Sequence, residues 1–433
     1  KNHFELFSNT AKKFGRTEII KPIFSENLGS AELAKNILTT ARHALPVLQH
    51  QCEASKMQEK AVGSLLDLVG RLQTMAVINQ AVEFNVDAEE ALSFVEAMDS
   101  SRTASAKVQA SAIQATTRTA TNIASVRALA AAGAIEHLTK AANTGTSDGS
   151  DKAAMEGIAQ MTKIALEGFD EAGSDLMLKI MEANAESNQA EGLANCVAVL
   201  STTDKGANAL TALVNKSSAN QNAKVQAVVA LSNRKLAGNT LELNVANKAE
   251  VNSLMSAASA APGAKGVIVM SSVIIDSAAT ARQMADGGAV EMLQKTLVKD
   301  LATDVDAQER KEGGKAAVQT LKNLISSSKT NNKQEGQTDD EMKADKIAIT
   351  NKLRDLKIAA SIAAALKDSD DPDFSNDCIS LLQELTSMAG MNGENGMGLD
   401  EESLNLIMQS ASSSGANQNG VDNLMHSLAS TSD

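Results

Sequence analysis

The residues that could bind a metal are few in this chain. His43, His50 and Cys52 lie close together in the sequence, but the two histidines are seven residues apart and Pro46 lies between them. Two ligands on one helix need a spacing of about one turn to point at the same ion. We therefore interpret these residues as surface histidines and a core cysteine, and we predict neither a metal nor a cofactor.

A second candidate for metal binding is a cluster of four aspartates between residues 368 and 373. A calcium loop of the EF-hand type needs Gly at its sixth position and Glu at its twelfth. Counted from Asp368, these positions hold Asp373 and Ile379, so the motif fails. The cluster instead predicts an acidic cap on a helix that begins near Phe374, because carboxylates stabilise the amino end of a helix.

Catalytic patterns are equally weak. Three glycines between residues 393 and 398 form a Gly-rich stretch, but no strand precedes it and no Gly-Lys-Ser/Thr follows, so a phosphate cradle is not predicted. Five histidines leave little material for general base catalysis. We predict that the chain is not an enzyme. An enzyme with an unrecognised carboxylate site stays an alternative, and a pocket with two buried, pKa-shifted carboxylates would be its signature.

The composition predicts the elements that carry these residues. Hydrophobic residues make up 43% of the 433 positions, aromatic residues only 2%, and there are four prolines. Ala and Leu supply most of the apolar mass, and both favour helix. We expect nearly the whole chain to be helix and short turns, in two or three domains or one elongated array.

Charge and hydropathy restrict the partners. The net charge of −13 argues against nucleic acid, which needs a concentrated basic face. The most apolar run, residues 266–275, is half as long as the roughly 20 residues of a membrane span. It predicts a buried helix and no membrane insertion. Three distant cysteines, Cys52, Cys196 and Cys378, indicate reduced core thiols of a cytoplasmic protein.

Internal repeats run through the chain. The pentapeptide Ala106-Lys-Val-Gln-Ala110 recurs unchanged at Ala223–Ala227, an offset of 117 residues that equals three steps of 39. The segments Val126–Leu138 and Ala281–Leu293 also align, with Gly133 and Gly288 in equivalent places. Weaker copies follow Gly173 and Gly206. A glycine of this kind ends one helix in a left-handed turn before the next begins, and helix pairs of this length must stack to bury their apolar faces.

Two segments carry a resemblance to a known family. Ala227-Val-Val-Ala-Leu-Ser-Asn233 and Ala317-Val-Gln-Thr-Leu-Lys-Asn323 resemble the third-helix signature of armadillo repeats in the armadillo/HEAT superfamily. This resemblance implies an all-α, right-handed superhelical solenoid of armadillo-like helical repeats. It also implies protein-binding roles for Asn233 and Asn323. In peptide-binding members, Trp and Asn on the third helices grip a basic extended peptide, but here Val229 and Gln319 stand in the Trp places.

The positions where the repeat pattern stops or is interrupted predict the domain organisation. We expect an N-terminal segment (1–50), armadillo-like repeats (51–325), a polar insertion loop (326–345), further armadillo-like repeats (346–410) and a flexible tail (411–433). The N-terminal segment contains Phe4, Phe7 and Phe14 in a chain that has only eight Phe. Phenylalanine side chains bury a large area and tend to dominate interfaces, so we predict that this segment is a docking element. The alternative is a cap that covers the apolar face of the first repeat.

These features together predict a non-catalytic protein-binding scaffold or a structural component of a larger assembly. Protein partners in a cytoskeletal or ciliary assembly are expected, in a cytoplasmic or cytoskeletal location. A mechanical rod of Ala-rich helical bundles resembling talin is an alternative. It is distinguished by long bundled helices in place of Gly-punctuated steps near 40 residues.

Overall fold

The computed structural model describes residues 63–64, 66–67, 85–99, 106–144, 149–170, 173–298, 305–329, 337–389, 405, 407–409 and 418–431. Within these residues the chain is all-α, as predicted, and the only extended pairing is an isolated parallel bridge between Leu243 and Val273. The chain divides into two compact units between Ala209 and Leu210. Each unit is described by itself.

The described helices of the first unit are 9 to 18 residues long, and two of them begin at side-chain caps, made by Asp87 and Asn122. They are α1 (Ala88–Met98), α2 (Ala106–Thr119), α3 (Ile123–Ala131), α4 (Ala134–Asn143), α5 (Ser150–Glu167), α6 (Ser174–Glu186) and α7 (Ala190–Leu200). The next helix, α8 (Asp204–Asn215), spans the boundary between the units.

Packing in the first unit follows the order of the chain. Helix α5 contacts α2, α3, α4, α6 and α7, whereas the contacts of α1 with other described helices are mainly to α2, α3 and α4. Helices α2, α5 and α7 form one layer, and their first residues are 44 and 40 residues apart. Contacts confined to near neighbours are the pattern of a repeat solenoid, in which each unit packs on the next.

The second unit continues with helices of 6 to 23 residues. They are α9 (Gln221–Leu236), α10 (Lys248–Ala260), α11 (Lys265–Met270), α12 (Ala278–Asp286), α13 (Ala289–Leu297), α14 (Ala307–Lys329), α15 (Asp339–Asp355), α16 (Ile358–Lys367), α17 (Pro372–Ala389) and α18 (Gln418–Thr431). Four of them pack in succession, α9 on α11, α11 on α14 and α14 on α17. We call this row the third-helix layer. The other helices pack against it and against one another, as in α12 on α15 and α13 on α16.

The core is made of small and aliphatic side chains. The short helix α11 is buried along Gly266–Met270, which confirms the predicted buried helix for the first half of this apolar run. Residues 271–275 lie outside the helix and Ile274 is exposed, so the prediction is wrong for the second half. Close packing requires glycine at two places, since a Cβ on Gly206 or Gly266 would lie 2.1 Å from the carbonyl oxygen of Leu200 or Ala258. Gly206 therefore lies within α8 and serves helix contact, which corrects its interpretation as a turn between helices.

Glutamine side chains join neighbouring repeats, a feature that the sequence pattern did not reveal. In each case the Nε2 group donates to a main-chain carbonyl oxygen at least 34 residues away, which satisfies a carbonyl near a helix end. The pairs are Gln160 with Ala120 (3.3 Å), Gln189 with Met155 (3.1 Å), Gln221 with Ser256 (3.1 Å) and Gln294 with Leu356 (2.6 Å).

The predicted equivalence of Gly133 and Gly288 is confirmed. Each follows a nine-residue helix, α3 or α12, and each has a left-handed backbone, with φ of 96° and 94°. A third copy of the turn precedes α16, where Lys357 has φ of 48°. The sequence comparison missed this copy because a lysine stands where the other two turns have glycine.

The polar insertion predicted over 326–345 is wrong at both ends. Helix α14 continues to Lys329, and the Ser327 hydroxyl donates to the Asn323 and Ile275 carbonyl oxygens at 2.7 and 2.8 Å. Helix α15 begins at Asp339, behind a capping box in which the Thr338 side chain accepts from the Glu341 amide. The acidic residues that suggested a loop instead lie in the first turn of a helix, where its dipole favours them.

The flexible tail predicted over 411–433 is also corrected. Residues 418–431 form α18, which packs on α17. Val421 and Leu424 are buried, and Gln383 Nε2 donates to the Gly420 carbonyl oxygen at 2.8 Å. The Ser- and Asn-rich composition hid two apolar side chains with helical spacing, and these are enough to seat the helix.

Candidate functional site

The third-helix layer presents the two asparagines that the sequence predicted. Asn233 lies on α9 and Asn323 on α14, each two residues after a fully buried leucine, Leu231 or Leu321. Since α9 and α14 both pack on α11, the two asparagines belong to one layer on either side of that helix. The structure therefore places them in corresponding positions without bringing them into contact with each other.

The two amides differ in what they bind. Asn233 is exposed, and its side chain makes no hydrogen bond to a described residue. The Asn323 Oδ1 atom accepts from Gln319 Nε2 at 2.9 Å, which leaves its amide nitrogen available to donate. An amide that offers both a donor and an acceptor matches the donor and acceptor of an extended peptide backbone. Asn233 therefore keeps a donor and an acceptor, and Asn323 keeps a donor, that no described residue engages.

Buried residues on the opposite side of α9 fix its orientation. Ala227, Ala230 and Leu231 are buried, as predicted, and Val229 is half-buried. Helix α9 begins at Gln221, directly after Asn220, whose side-chain oxygen accepts from the amides of Asn222 and Ala223. This packing holds Asn233 at a defined position beyond the buried face.

Lysines link successive helices of the third-helix layer. Lys235 on α9 donates to the Ser271 and Ser272 hydroxyls after α11, both at 2.7 Å, and burial lowers its pKa. Lys265 on α11 donates to Glu309 on α14 at 2.6 Å, and Lys322 on α14 pairs with Asp377 on α17. Lys265 and Lys322 are thus paired with carboxylates, whereas Lys235 keeps its charge and is hydrogen-bonded to two neutral hydroxyls.

A cleft of about 630 Å³ opens elsewhere in the second unit. Its walls are the end of α13, the first turns of α14, the end of α16 and the turn that leads into α17. The lining residues are Thr296, Leu297, Ala307, Arg310, Lys311, Gly314, Ala365, Asp368, Ser369, Asp370, Asp371, Pro372 and Phe374. A pocket of this volume lies within the range of ligand sites.

Asp371 is the best-connected residue of this cleft. Its Oδ2 atom binds Lys315 Nζ at 3.0 Å and Lys311 Nζ at 3.1 Å, while Oδ1 accepts from the amides of Asp373 and Phe374. The side-chain hydrogen bonds from Lys315 and Lys311 hold the pKa of Asp371 well below its usual range, and the Asp371 carboxylate raises the pKa of Lys315. The predicted acidic cap is confirmed, with the helix beginning at Pro372.

A catalytic carboxylate pair is not found in the described part of the chain. Burial raises the pKa of Asp345 on α15, whereas the shifted carboxylate in the cleft, Asp371, has a lowered pKa. No group of three or more His, Cys, Asp or Glu side chains suited to a metal occurs among the residues whose positions are given above. Within the same residues, no helix is both long and apolar enough to cross a membrane.

The remaining predicted site residues, Phe4, Phe7 and Phe14, lie outside the described residues, so the docking segment stays a prediction. Sequence reasoning missed Lys224, which is buried on α9 with its Nζ atom 3.1 Å from the Ser253 hydroxyl. Burial lowers the pKa of this lysine. Lys224 lies on the buried face of α9, but a single lysine in an Ala-rich helix gives no sign in the sequence that it is buried.

Comparisons of this chain with known proteins find only low similarity. No protein-family model and no curated protein sequence matches the chain. An engineered protein solved by crystallography is 16% identical with a TM-score of 0.36, covering 98% of this chain and 95% of its own. The SYS-1/POP-1 crystal complex contains a chain that is 11% identical with a TM-score of 0.33, covering 98% and 85%.

A third similar chain comes from a structure on the phosphorylation switch that controls the interaction between cadherin and β-catenin. It is 11% identical with a TM-score of 0.34, covering 96% of this chain and 80% of its own. TM-scores below 0.5 at such identities assign neither a family nor a partner. The helical repeat organisation therefore rests on the packing order within each unit.

Proposed function

We propose that the chain is a protein-binding scaffold whose third-helix layer binds an extended segment of a partner protein through Asn233 and Asn323. The observation that carries this proposal is the pair of corresponding asparagines on helices of one layer, of which Asn233 is exposed and Asn323 keeps its amide nitrogen available to donate. The armadillo-like signatures at both positions support it, because asparagine ladders bind peptide main chains in that family. We extend the proposal to a structural role in a cytoskeletal or ciliary assembly.

Because the third-helix layer has no tryptophan, the side chains of a partner that it would bind are limited. Val229 is half-buried and Gln319 is exposed at the places where a peptide-binding armadillo helix has Trp. Without an aromatic surface, the stems of basic side chains have little to stack on. We therefore expect the layer to bind main chain with weak side-chain preference, and to need several repeats for useful affinity.

A peptide selection tests this function. Linear peptides that bind the purified chain would first be selected from a displayed random library. Their affinities would then be measured for the unchanged chain and for the double variant Asn233→Ala/Asn323→Ala. We expect this variant to bind about thirtyfold more weakly, since the two lost amides together remove hydrogen bonds of roughly 2 kcal/mol, about 1 kcal/mol each.

The control is Asn252→Ala, which changes an exposed asparagine on α10, outside the layer. Its affinity should match that of the unchanged chain. Equal binding by the double variant and the control, with both folded, would exclude the asparagines from the binding surface.

A further inference from the structure

The short helix α11 does not cap its own amino end. It has six residues, fewer than an isolated helix needs to be stable, and the residue before it, Ala264, makes no side-chain cap. Since α11 packs on both α9 and α14, it lies between the helices that carry Asn233 and Asn323. The contacts that hold α11 in place therefore also hold the spacing of the two asparagines.

A carboxylate of the next repeat caps the amino end of α11. Glu309 on α14 is 5% exposed, and its Oε1 atom accepts from the Ala264 amide at 2.8 Å while its Oε2 atom accepts from Lys265 Nζ at 2.6 Å. A Cβ at Gly263 would lie 2.3 Å from the same Oε1 atom, so glycine leaves room for this approach. The negative charge lies at the end of the helix where the dipole favours it.

An ammonium group of the preceding repeat lies at the carboxyl end of the same helix. Lys235 on α9 donates to the hydroxyls of Ser271 and Ser272, which directly follow α11, both at 2.7 Å. The Ser271 hydroxyl donates in turn to the Ile268 carbonyl oxygen at 2.8 Å, which links the ammonium group to the last turn of the helix. Positive charge is favoured at this end of a helix. The two neighbouring helices thus hold α11 at opposite ends with opposite charges.

We infer that Glu309 and Lys235 are positioning residues of the third-helix layer, which hold α11 at its two ends and thereby set the distance between the two asparagines. The inference rests on the proposed peptide-binding function and deepens it. An extended segment binds both asparagines at once only when their spacing matches that of its main-chain groups, and the second contact then forms without a new encounter. Without either positioning residue, a peptide should bind one asparagine at a time.

Peptide affinity tests this role through Glu309→Ala and Lys235→Met. The probes are the library peptides selected on the unchanged chain, and fluorescence anisotropy gives their affinities. We expect each variant to bind them about fivefold more weakly, which is the effect of losing one asparagine contact and equals that of Asn323→Ala alone. Adding Asn323→Ala to either variant should then weaken binding by no more than about twofold, because Asn233 remains and already binds on its own.

Spin labels measure the spacing without a peptide. Asn222 on α9 and Ser326 on α14 are exposed, so cysteines at these two positions carry the labels in a chain with Cys52→Ser, and the thiols at positions 196 and 378 are buried. Pulsed electron paramagnetic resonance gives the distribution of distances between the labels. We expect a narrow distribution in the unchanged chain and a broader or shifted one in Glu309→Ala and in Lys235→Met.

Two control variants separate positioning from general destabilisation. Gln308→Ala changes the exposed neighbour of Glu309 on α14 and should alter neither the affinity nor the distance distribution. Leu424→Ala removes a buried side chain from α18 in the same unit. It should lower the thermal unfolding midpoint and leave both of the other measurements unchanged.

Unchanged affinity in either folded variant, a fivefold effect of Asn323→Ala that persists in these variants, or an unaltered distance distribution would each overturn the inference. Lys235→Met keeps the aliphatic stem and removes only the charged end, so the same criteria apply to it alone if Glu309→Ala does not fold. Peptides that bind independently of both asparagines would remove the proposed function, and an altered distance distribution would then still establish the positioning of α11. Asparagine-dependent binding with an unaltered distribution would keep the function and remove this inference.

Discussion

At the scale of single residues, three equivalent turns share one backbone conformation although their sequences differ. Gly133, Gly288 and Lys357 all occupy the left-handed region before a helix. A residue with a Cβ atom pays about 1–2 kcal/mol in this region, whereas glycine does not. The three positions therefore carry different amounts of strain for the same turn.

This difference predicts opposite effects on stability. Gly288→Ala should lower the free energy of unfolding by about 1–2 kcal/mol. The cost is purely conformational, because a Cβ at Gly288 would meet no atom within 4 Å. Lys357→Gly should raise the free energy by up to about 1 kcal/mol, less what is lost to the greater freedom of glycine in the unfolded chain.

Urea unfolding followed by circular dichroism measures both changes. Gly314→Ala is the control, since this glycine lies inside α14 and alanine there should be neutral or stabilising by about 0.5–1 kcal/mol. A neutral Gly288→Ala would show that the turn is not held in the left-handed conformation.

At the scale of elements, the described part of α18 packs on α17 through two apolar side chains. Leu424 is fully buried and Val421 is nearly so, while the neighbouring residues are largely polar. Leu424→Ala should therefore lower the thermal unfolding midpoint of the chain, at a cost of about 2–3 kcal/mol for a buried large-to-small change.

The matched control is Asn423→Ala, an exposed position of the same helix, which should stay within about 0.5 kcal/mol of the unchanged chain. Truncation after residue 410 should lower the midpoint at least as much as Leu424→Ala. An unchanged midpoint in both would mean that the helix contributes nothing to the stability of the second unit.

At the scale of the whole molecule, each of the two units contains one buried thiol among its described residues. Cys196 lies in the first unit and Cys378 in the second, and burial raises the pKa of each to about 12. The thiolate is the reactive form, so the native thiols should be labelled about a thousandfold more slowly at pH 8 than the same thiols in the unfolded chain.

Single-cysteine variants with Cys52→Ser would report each unit separately as urea is raised. The pH dependence has a fixed sign. Below about pH 9 the thiol is protonated in both states, and between about 9 and 12 only the unfolded chain ionises, so each thiol lowers stability as pH rises through that window. Rapid labelling of either native thiol at pH 8 would contradict its burial.

Much of the fold followed from the sequence. Abundant Ala and Leu with few prolines predict helices, because these properties act residue by residue. The glycines at 133 and 288 reveal their turn because a left-handed backbone selects glycine directly. The asparagines of the candidate site were found through the armadillo-like signature around them.

Tertiary structure decided what local pattern does not encode. The repeated pentapeptide shows this most clearly, since Lys107 is exposed on α2 while Lys224 in the same sequence is buried on α9. The face that a helix buries depends on its neighbours, so identical residues need not occupy equivalent positions. The cleft likewise joins α13, α14, α16 and α17, whose lining residues are up to 78 positions apart, so no spacing along the chain reveals it.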